Sequence, residues 1–127
     1  MEQYLMDTNA VSDYFSASLS SSGMKFMDSV VNAIPNLSVI TQIELLSWRT
    51  DEATAQNVID FVNDSVILDV SPNVVIRCVE LRKNKKVKTP DAIIAATALV
   101  KGYTLITNNE KDFVGILNLK IINPHKI

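Results

Sequence analysis

The chain has 127 residues, a length that fits one domain and is too short for two ordinary ones. Apolar residues make up 47% and charged residues 20%, the usual globular mix, so a core can form without disulfides or a structural metal. The net charge of −2 excludes, on composition alone, a strongly basic nucleic-acid-binding protein.

A single cysteine, Cys78, excludes an internal disulfide and favours a reducing compartment. The first seven residues have neither the basic stretch nor the apolar run of a signal peptide, and no segment has the length of a membrane span. We therefore expect one domain over residues 1–127, located in the cytoplasm, with no membrane partner.

Five short apolar runs are typical of parallel strands that are covered on both faces. In chain order they are residues 4–6, 37–40, 66–68, 104–107 and 120–122. Helical patterns fill the gaps between them. This alternation predicts an α/β fold with a parallel sheet, helices on both sides and right-handed crossovers.

The predicted helices have local start and stop signals. A serine-rich stretch, residues 16–22, is predicted as a loop before a helix whose apolar residues run from Met24 to Ile34. Thr41 and Thr50 are predicted as N-caps of the next two helices. Two later helices are predicted to begin at Ser71-Pro72 and Thr89-Pro90, and Gly102 is predicted to end the second of them.

Three acidic side chains are predicted at one rim of the sheet, where open parallel sheets bind ligands. Asp7 directly follows the first strand, Glu44 lies in the first turn after the second, and Asp91 lies in the first turn of the helix that leads to the fourth. Two unit charges about 4 Å apart repel by roughly 4 kcal/mol at an effective dielectric constant of about 20. A cluster of three therefore needs a compensating cation.

Oxygen-only ligands favour Mg²⁺ or Mn²⁺ over zinc. Such an ion could lower the pKa of a bound water and direct it at a phosphorus atom, so that no histidine is needed as general base. Each acid also has a structural interpretation. Asp7 could cap the helix near Ala10, Glu44 could form a capping box with Thr41, and Asp91 could be favoured by the dipole of its own helix. Only their combination at one rim points to function.

Six of the twelve basic residues fall within twelve consecutive positions. They are Arg77, Arg82, Lys83, Lys85, Lys86 and Lys88. Such a segment predicts contacts with the phosphates of a nucleic acid. The alternative is a solvated helix end, where cations complement the helix dipole.

Four segments in this order resemble the PIN-domain nucleases, and among these the VapC-type toxins of bacterial and archaeal toxin–antitoxin pairs. The segments are Leu5-Met6-Asp7-Thr8-Asn9, Thr41-x-x-Glu44-Leu45, Pro90-Asp91-Ala92-Ile93-Ile94-Ala95-Ala96-Thr97-Ala98 and Leu105-Ile106-Thr107-Asn108-Asn109-Glu110-Lys111-Asp112-Phe113. The resemblance covers residues 5–124. It implies a Rossmann-like, three-layer α/β/α fold with a parallel five-stranded sheet in the order 3-2-1-4-5.

The resemblance further implies divalent-metal-dependent cleavage of RNA. It maps the first three acids of the family onto Asp7, Glu44 and Asp91, as metal-binding and catalytic residues. The fourth acidic position falls on Asn109, whose amide could still bind a metal through its carbonyl oxygen but adds no negative charge. Asp112 could take over if its loop turned inward; otherwise it is an acid in the first turn of a short helix.

Thr107 and Asn9 resemble the polar residues that orient the family's acids, with strand-end and cap hydrogen bonding as the alternative. Family members usually form homodimers, and the C-terminal segment of an antitoxin usually blocks the acidic pocket. The resemblance therefore implies an antitoxin partner and a second copy of the chain. The helix around Met24, Met27 and Val31 could supply the dimer surface, although core packing is the commoner use of such a stripe.

Three other residues are weaker candidates. Trp48 and Phe113 could stack on bases, but aromatic residues beside helical apolar stripes usually belong to the core. We expect His125 to be a surface residue, because no acid lies near it in the sequence.

Three alternative functions compete with the nuclease. A phosphatase of the haloacid type needs a second aspartate where Asn9 stands. A phospho-accepting receiver domain needs an acidic pair near the first strand; Asp69 is near the acceptor position, but Asp7 has only Glu2 nearby, on the wrong side of the strand. A binding module that keeps the fold and has lost turnover is compatible with Asn109.

Overall fold

The structure is a computed structural model that describes residues 2–127. Its strands are β1 (Tyr4–Met6), β2 (Asn36–Ser38), β3 (Val66–Leu68), β4 (Thr104–Ile106) and β5 (Ile121–Ile122). Its helices are α1 (Thr8–Phe15), α2 (Ser21–Asn32), α3 (Val39–Leu46), α4 (Glu52–Asn63), α5 (Pro72–Asn84), α6 (Thr89–Lys101) and α7 (Glu110–Phe113), followed by a 3-10 turn, Pro124–Lys126.

All five strands form one parallel sheet in the order β3-β2-β1-β4-β5. The predicted α/β fold and strand order are therefore confirmed. The strand order changes direction between β1 and β4, so the carboxyl ends of these two central strands border the crevice in which such sheets bind ligands.

Adjacent residues of the central strands point to opposite faces of the sheet and belong to two separate cores. Met6 and Ile106 pack with residues of α1 to α4, whereas Leu5 and Leu105 pack with residues of α6 and α7. All four are fully buried. Truncating one of them, for example Leu105→Ala, is expected to cost about 2–5 kcal/mol of stability.

Helix α6 packs against both the sheet and α5, and several of its buried side chains are alanines. Ala95 and Ala98 are fully buried in the cluster of Leu5 and Leu105, and Ala92 is fully buried in a cluster with residues of α5. The helix ends at Gly102, as predicted, with φ +72° in the left-handed region that favours glycine.

The boundary between β2 and α3 corrects two predictions. The strand ends at Ser38, whose hydroxyl accepts a hydrogen bond from the backbone N–H of Thr41 at 3.2 Å, so Ser38 is the N-cap of α3. The predicted capping by Thr41 is wrong, and with it the capping box with Glu44. Glu44 lies in the second turn of α3, which leaves its carboxylate available for other contacts.

Other boundaries differ by a few residues. Asp51, and not Thr50, caps α4. The predicted serine-rich loop is shorter, because Ser20 caps α2 and the helix begins at Ser21. Met27 is fully buried in the core, so the core alternative is confirmed for this residue of the α2 stripe. Within the described residues, no helix is both long and apolar enough to cross a membrane.

Candidate active site

The three predicted acids line a single small cavity at the carboxyl ends of β1 and β4. Its volume is about 120 Å³. The residues around it are Asp7, Thr8, Asn9, Glu44, Asp91, Ile94 and Asn109. Acids from three distant segments of the chain therefore border one space, and the neighbouring polar groups come from the turns after β1 and β4.

Asp7 is the most buried of these acids, with 5% of its surface exposed. It is the N-cap of α1, and its Oδ1 accepts a hydrogen bond from the backbone N–H of Ala10 at 2.8 Å. The pKa of Asp7 is raised to about 6, mainly because the side chain is buried. Hydrogen bonds from Thr107 and Ala10 oppose the shift, and the charges of Asp91 and Asp13 add to it. Asp7 thus caps α1, as predicted, and also lines the cavity.

Glu44 reaches the cavity from the exposed face of α3. Its Oε1 accepts a short hydrogen bond from the hydroxyl of Thr8, and the Thr8 and Thr41 hydroxyl oxygens are 3.3 Å apart. These contacts tie α3 to the first turn of α1. The carboxylate is therefore directed by a residue 36 positions away, and not by its own helix.

Asp91 is half-buried in the first turn of α6. Burial raises its pKa, the negative charges of Asp112 and Glu44 raise it as well, and the positive charge of Lys88 lowers it. The charge of Asp91 raises the pKa of Asp7, and the charge of Glu44 raises the pKa of Asp91. The three acids therefore interact electrostatically.

Asn109 lines the cavity, and Asp112 lies outside the lining but contacts Asn109. The side-chain amide of Asn109 donates to Asp112 Oδ2 at 2.7 Å, and its backbone N–H donates to the Thr107 hydroxyl at 3.0 Å. Thr107 is fully buried beside Asp7. Asn9 is an exposed lining residue, and Asp112 is exposed outside the cavity lining.

The donor chemistry of the cavity suits a hard divalent cation, since its ligand candidates are carboxylate and amide oxygens. However, no three Asp, Glu, His or Cys side chains among residues 2–127 lie close enough together to hold one ion as they stand. One oxygen of Asp7 is bound by Ala10 and one oxygen of Glu44 by Thr8. The residues fit a metal by chemistry and by their shared cavity, and they are not preassembled around one.

Four of the six basic residues border two different grooves, and none of the six lines the acidic cavity. Lys88 directly precedes α6, and its positive charge lowers the pKa of Asp91. Arg82 and Lys83 border a groove of about 540 Å³ between α5 and α6, and Arg77 and Lys85 border a different groove. The two ion pairs found within residues 2–127 involve none of the six cations.

The structure decides between the two interpretations of Phe113 and adds a contact to His125. Phe113 is 1% exposed and packs in the core, so base stacking is excluded for it, and Trp48 is half-buried against the other core. His125 is exposed, as predicted, and its Nε2 lies 2.8 Å from Asp13 Oδ2. No local signal could identify this pair, since the two residues are 112 positions apart.

Comparison with known proteins identifies the family. The sequence model of the PIN domain matches residues 4–116. The chain belongs to the PIN domain family. PIN domains are generally nucleases that use divalent metal ions. A search of curated proteins found no significant match.

Several solved structures share this PIN fold. A toxin–antitoxin complex from Klebsiella pneumoniae contains a chain with 33% identity and a TM-score of 0.76, covering 98% of this chain and 100% of that one. VapBC2 from Rickettsia felis, bound to a DNA fragment from its promoter, has 25% identity and a TM-score of 0.78, with 94% and 97% covered. FitAcB from Neisseria gonorrhoeae, with 21% identity, has a TM-score of 0.79, with 98% and 100% covered. The resemblance to VapC-type PIN domains is thereby confirmed.

Proposed function

We propose that this PIN domain is a divalent-metal-dependent endoribonuclease that cleaves RNA phosphodiester bonds. The observation that carries the proposal is the shared cavity, in which Asp7, Glu44 and Asp91 come together from three segments. Buried or clustered carboxylates with raised pKa values are typical of functional sites, because their charges are unfavourable without a ligand. Mg²⁺ or Mn²⁺ is the ligand that fits these oxygen donors.

In this proposal Asp7, Glu44 and Asp91 hold the ion, and the carbonyl oxygen of Asn109 is a further candidate ligand. When bound, the ion would supply a water of lowered pKa and a positive charge for the phosphate. Asp112 keeps the amide of Asn109 oriented, since it accepts that amide's hydrogen bond. Asn9 is left as a lining residue for contact with RNA or its water shell.

The remaining residues of the site fix and balance these acids. Thr107 and Ala10 hold the carboxylate of Asp7 by hydrogen bonds that favour its ionised form. Lys88 places a positive charge near Asp91, where it can attract the RNA backbone toward the cavity. The other basic residues of this segment do not line the cavity and are weaker candidates for phosphate contacts: Arg77, Arg82, Lys83, Lys85 and Lys86.

The direct test is incubation of the purified protein with a structured RNA in Mg²⁺ or Mn²⁺, with a parallel sample in EDTA. Cleavage is expected only with the metal, and Asp7→Ala is expected to abolish it. Asp69→Ala is the matched control, because Asp69 is exposed after β3 and does not line the cavity. Absence of cleavage, or equal cleavage by Asp7→Ala and wild type, would remove the proposal.

We further propose that the protein is the toxin of a type II toxin–antitoxin pair and acts in the cytoplasm. Support comes from the similar solved complexes and from α3, which exposes Ile43 (56%) and Leu46 (49%) on either side of Glu44. A cognate antitoxin segment that covers this apolar surface would close the cavity. Co-purification with the product of an adjacent small open reading frame, and loss of cleavage in the complex, are the expected results.

A homodimer is also proposed on the family resemblance. Helix α5 exposes the apolar side chains of Val75, Ile76 and Val79, and Val75 and Val79 border the groove toward α6. Light scattering after gel filtration is expected to give twice the mass of the 127-residue chain. Val79→Glu is expected to halve that mass, and a monomeric wild-type protein would contradict the assignment.

The second candidate function is a PIN-fold module that binds RNA or protein with weak or lost catalysis. Two observations favour it: Asn109 stands at the fourth acidic position, and the acids are not preassembled around a metal. Manganese binding separates the two functions. A nuclease needs an ion shared by at least two of the three acids, whereas a binding module does not.

A further inference from the structure

The 3-10 turn at the end of the chain contacts several separate parts of the molecule. His125 Nε2 lies 2.8 Å from Asp13 Oδ2 in α1, and Lys126 Nζ lies 2.6 Å from Glu110 Oε2 in α7. The carbonyl of Pro124 packs against α2. The turn therefore ties together elements that border the acidic cavity on the side of α1 and β4.

Asp13 is the junction between this turn and the segment after β4. Its Oδ2 accepts hydrogen bonds from His125 Nε2 and from the side-chain amide of Asn108, the latter at 2.6 Å. The side chain of Asp13 is only 20% exposed, and that of His125 is 35% exposed. Two donors on one partly buried carboxylate oxygen restrict the rotamers of all three residues.

Asn108 connects this junction to the cavity through its two chain neighbours. Thr107 forms a hydrogen bond with the carboxyl group of Asp7. Its hydroxyl also accepts a hydrogen bond from the backbone N–H of Asn109 at 3.0 Å. Asn109 lines the cavity. The orientation of Asn108 therefore bears on a residue at the cavity and on one that holds Asp7.

We propose that Asp13, Asn108 and His125 form a clasp that positions residues 107–109 at the acidic cavity for cleavage. The inference rests on the proposed function and assigns these three side chains as positioning residues. None of them lines the cavity, so they act through Thr107 and Asn109 and not by contact with RNA.

The absence of a side chain at Gly23 lets the turn pack closely against α2, so substitution of Gly23 offers a way to displace the turn. A Cβ atom at Gly23 would lie 2.4 Å from the carbonyl oxygen of Pro124, so a larger residue forces the turn away from α2. Alanine is otherwise a better helix former than glycine. Gly23→Ala thus disturbs the clasp without altering any of its side chains, and Ser22→Ala, at the neighbouring exposed position, is the matched control.

The first test uses no cleavage. In ¹⁵N NMR spectra of the metal-free protein, His125→Leu and Gly23→Ala are expected to shift the side-chain amide signals of Asn108 and the backbone amide signal of Asn109. His125→Gln is expected to keep both near their wild-type positions, because its amide can donate to Asp13 as Nε2 does. Ser22→Ala is expected to change neither.

The second test separates positioning from stability. His125→Leu and Asp13→Ala are each expected to lower kcat for RNA about tenfold with little change in KM, and the double variant should fall no further, since the residues act as one unit. His125→Gln should restore most of kcat.

Unchanged Asn108 and Asn109 signals in His125→Leu, or equal kcat losses in His125→Leu and His125→Gln, would overturn the clasp. A change in melting temperature without any change in kcat would also overturn it. Absence of cleavage by the wild-type protein would instead remove the proposed function, and the NMR comparison would still decide whether the clasp orders residues 107–109.

Discussion

Two aspartates begin helices with the same local hydrogen bond, yet their carboxyl groups have opposite pKa shifts. Asp7 at α1 accepts from the backbone N–H of Ala10 at 2.8 Å, and Asp51 at α4 accepts from that of Thr54 at 3.0 Å. Hydrogen bonds from Thr54 lower the pKa of the exposed Asp51. Burial and neighbouring carboxylates raise the pKa of Asp7 to about 6.

The difference shows what capping alone requires. An exposed acceptor is sufficient to satisfy the first backbone N–H groups of a helix, as Asp51 demonstrates. Asp7 makes the same bond while its charge is desolvated and lies near Asp91 and Asp13, which disfavours the ionised form. Helix formation does not account for that placement, whereas a cation that neutralises the group would.

The largest expected effect is a metal-dependent gain in stability. Mn²⁺ at about 100 times its Kd should raise the free energy of unfolding of the wild-type protein by about 2.7 kcal/mol near pH 8. Asp51→Asn should show the same gain, and Asp7→Asn should show little. The gain should shrink below about pH 6, because Asp7 must lose its proton to bind the ion. Urea unfolding with and without Mn²⁺ measures it, and an equal gain in Asp7→Asn would break the comparison.

The second effect concerns the protein without metal. The pKa of Asp7 is higher in the folded state than its ordinary value of 3.8, so the folded protein binds the proton more tightly. The resulting cost of ionised Asp7 is fully present above about pH 6 and disappears as the pH falls toward 4. In EDTA, Asp7→Asn should therefore be more stable than wild type by about 2 kcal/mol at high pH, with the difference vanishing near pH 4.

Asp51→Asn is the opposite control for this measurement. In the wild-type protein the pKa of Asp51 is lowered in the folded state, so its charged carboxylate stabilises the protein at neutral pH and this contribution is lost in acid. The substitution should slightly lower stability near pH 7. If Asp7→Asn were also less stable than wild type at high pH, the buried carboxylate would be a structural cap like Asp51.

The smallest expected effect comes from Lys88. Lys88→Gln removes the cation that lowers the pKa of Asp91, and one phosphate contact with it. We expect KM for RNA to rise about threefold, with a weaker salt dependence of binding. Lys25→Gln, at an exposed position of α2, is the matched control. Equal effects of the two substitutions would show that Lys88 contributes only to overall charge.

The elements of the fold were predictable because their signals are local, whereas the strand order was expected only from the family resemblance. Apolar runs marked the strands, Pro72 and Pro90 marked two helix starts, and Gly102 marked an end. The start of α3 was mispredicted because Ser38 and Thr41 are both good caps, and only tertiary packing selects between them. Val39 and Ile40 have β-branched side chains, yet they form the first turn of the helix.

The edge of the sheet that carries the site was predictable, but the side-chain contacts within the site were not. The rule for parallel sheets brings Asp7, Glu44 and Asp91 to one edge. Their actual partners could not be read from the sequence, since Glu44 is held by Thr8 across 36 positions and His125 by Asp13 across 112. Such contacts depend on how helices pack, and no local pattern records them.

The most direct test is a crystal structure of the protein in Mn²⁺, with the ion located by its anomalous scattering. We predict one ion in the cavity beside α1 and α6, with oxygen ligands from at least two of Asp7, Glu44 and Asp91. A cavity without manganese under conditions that support RNA cleavage, or an ion bound only elsewhere on the protein, would contradict the account.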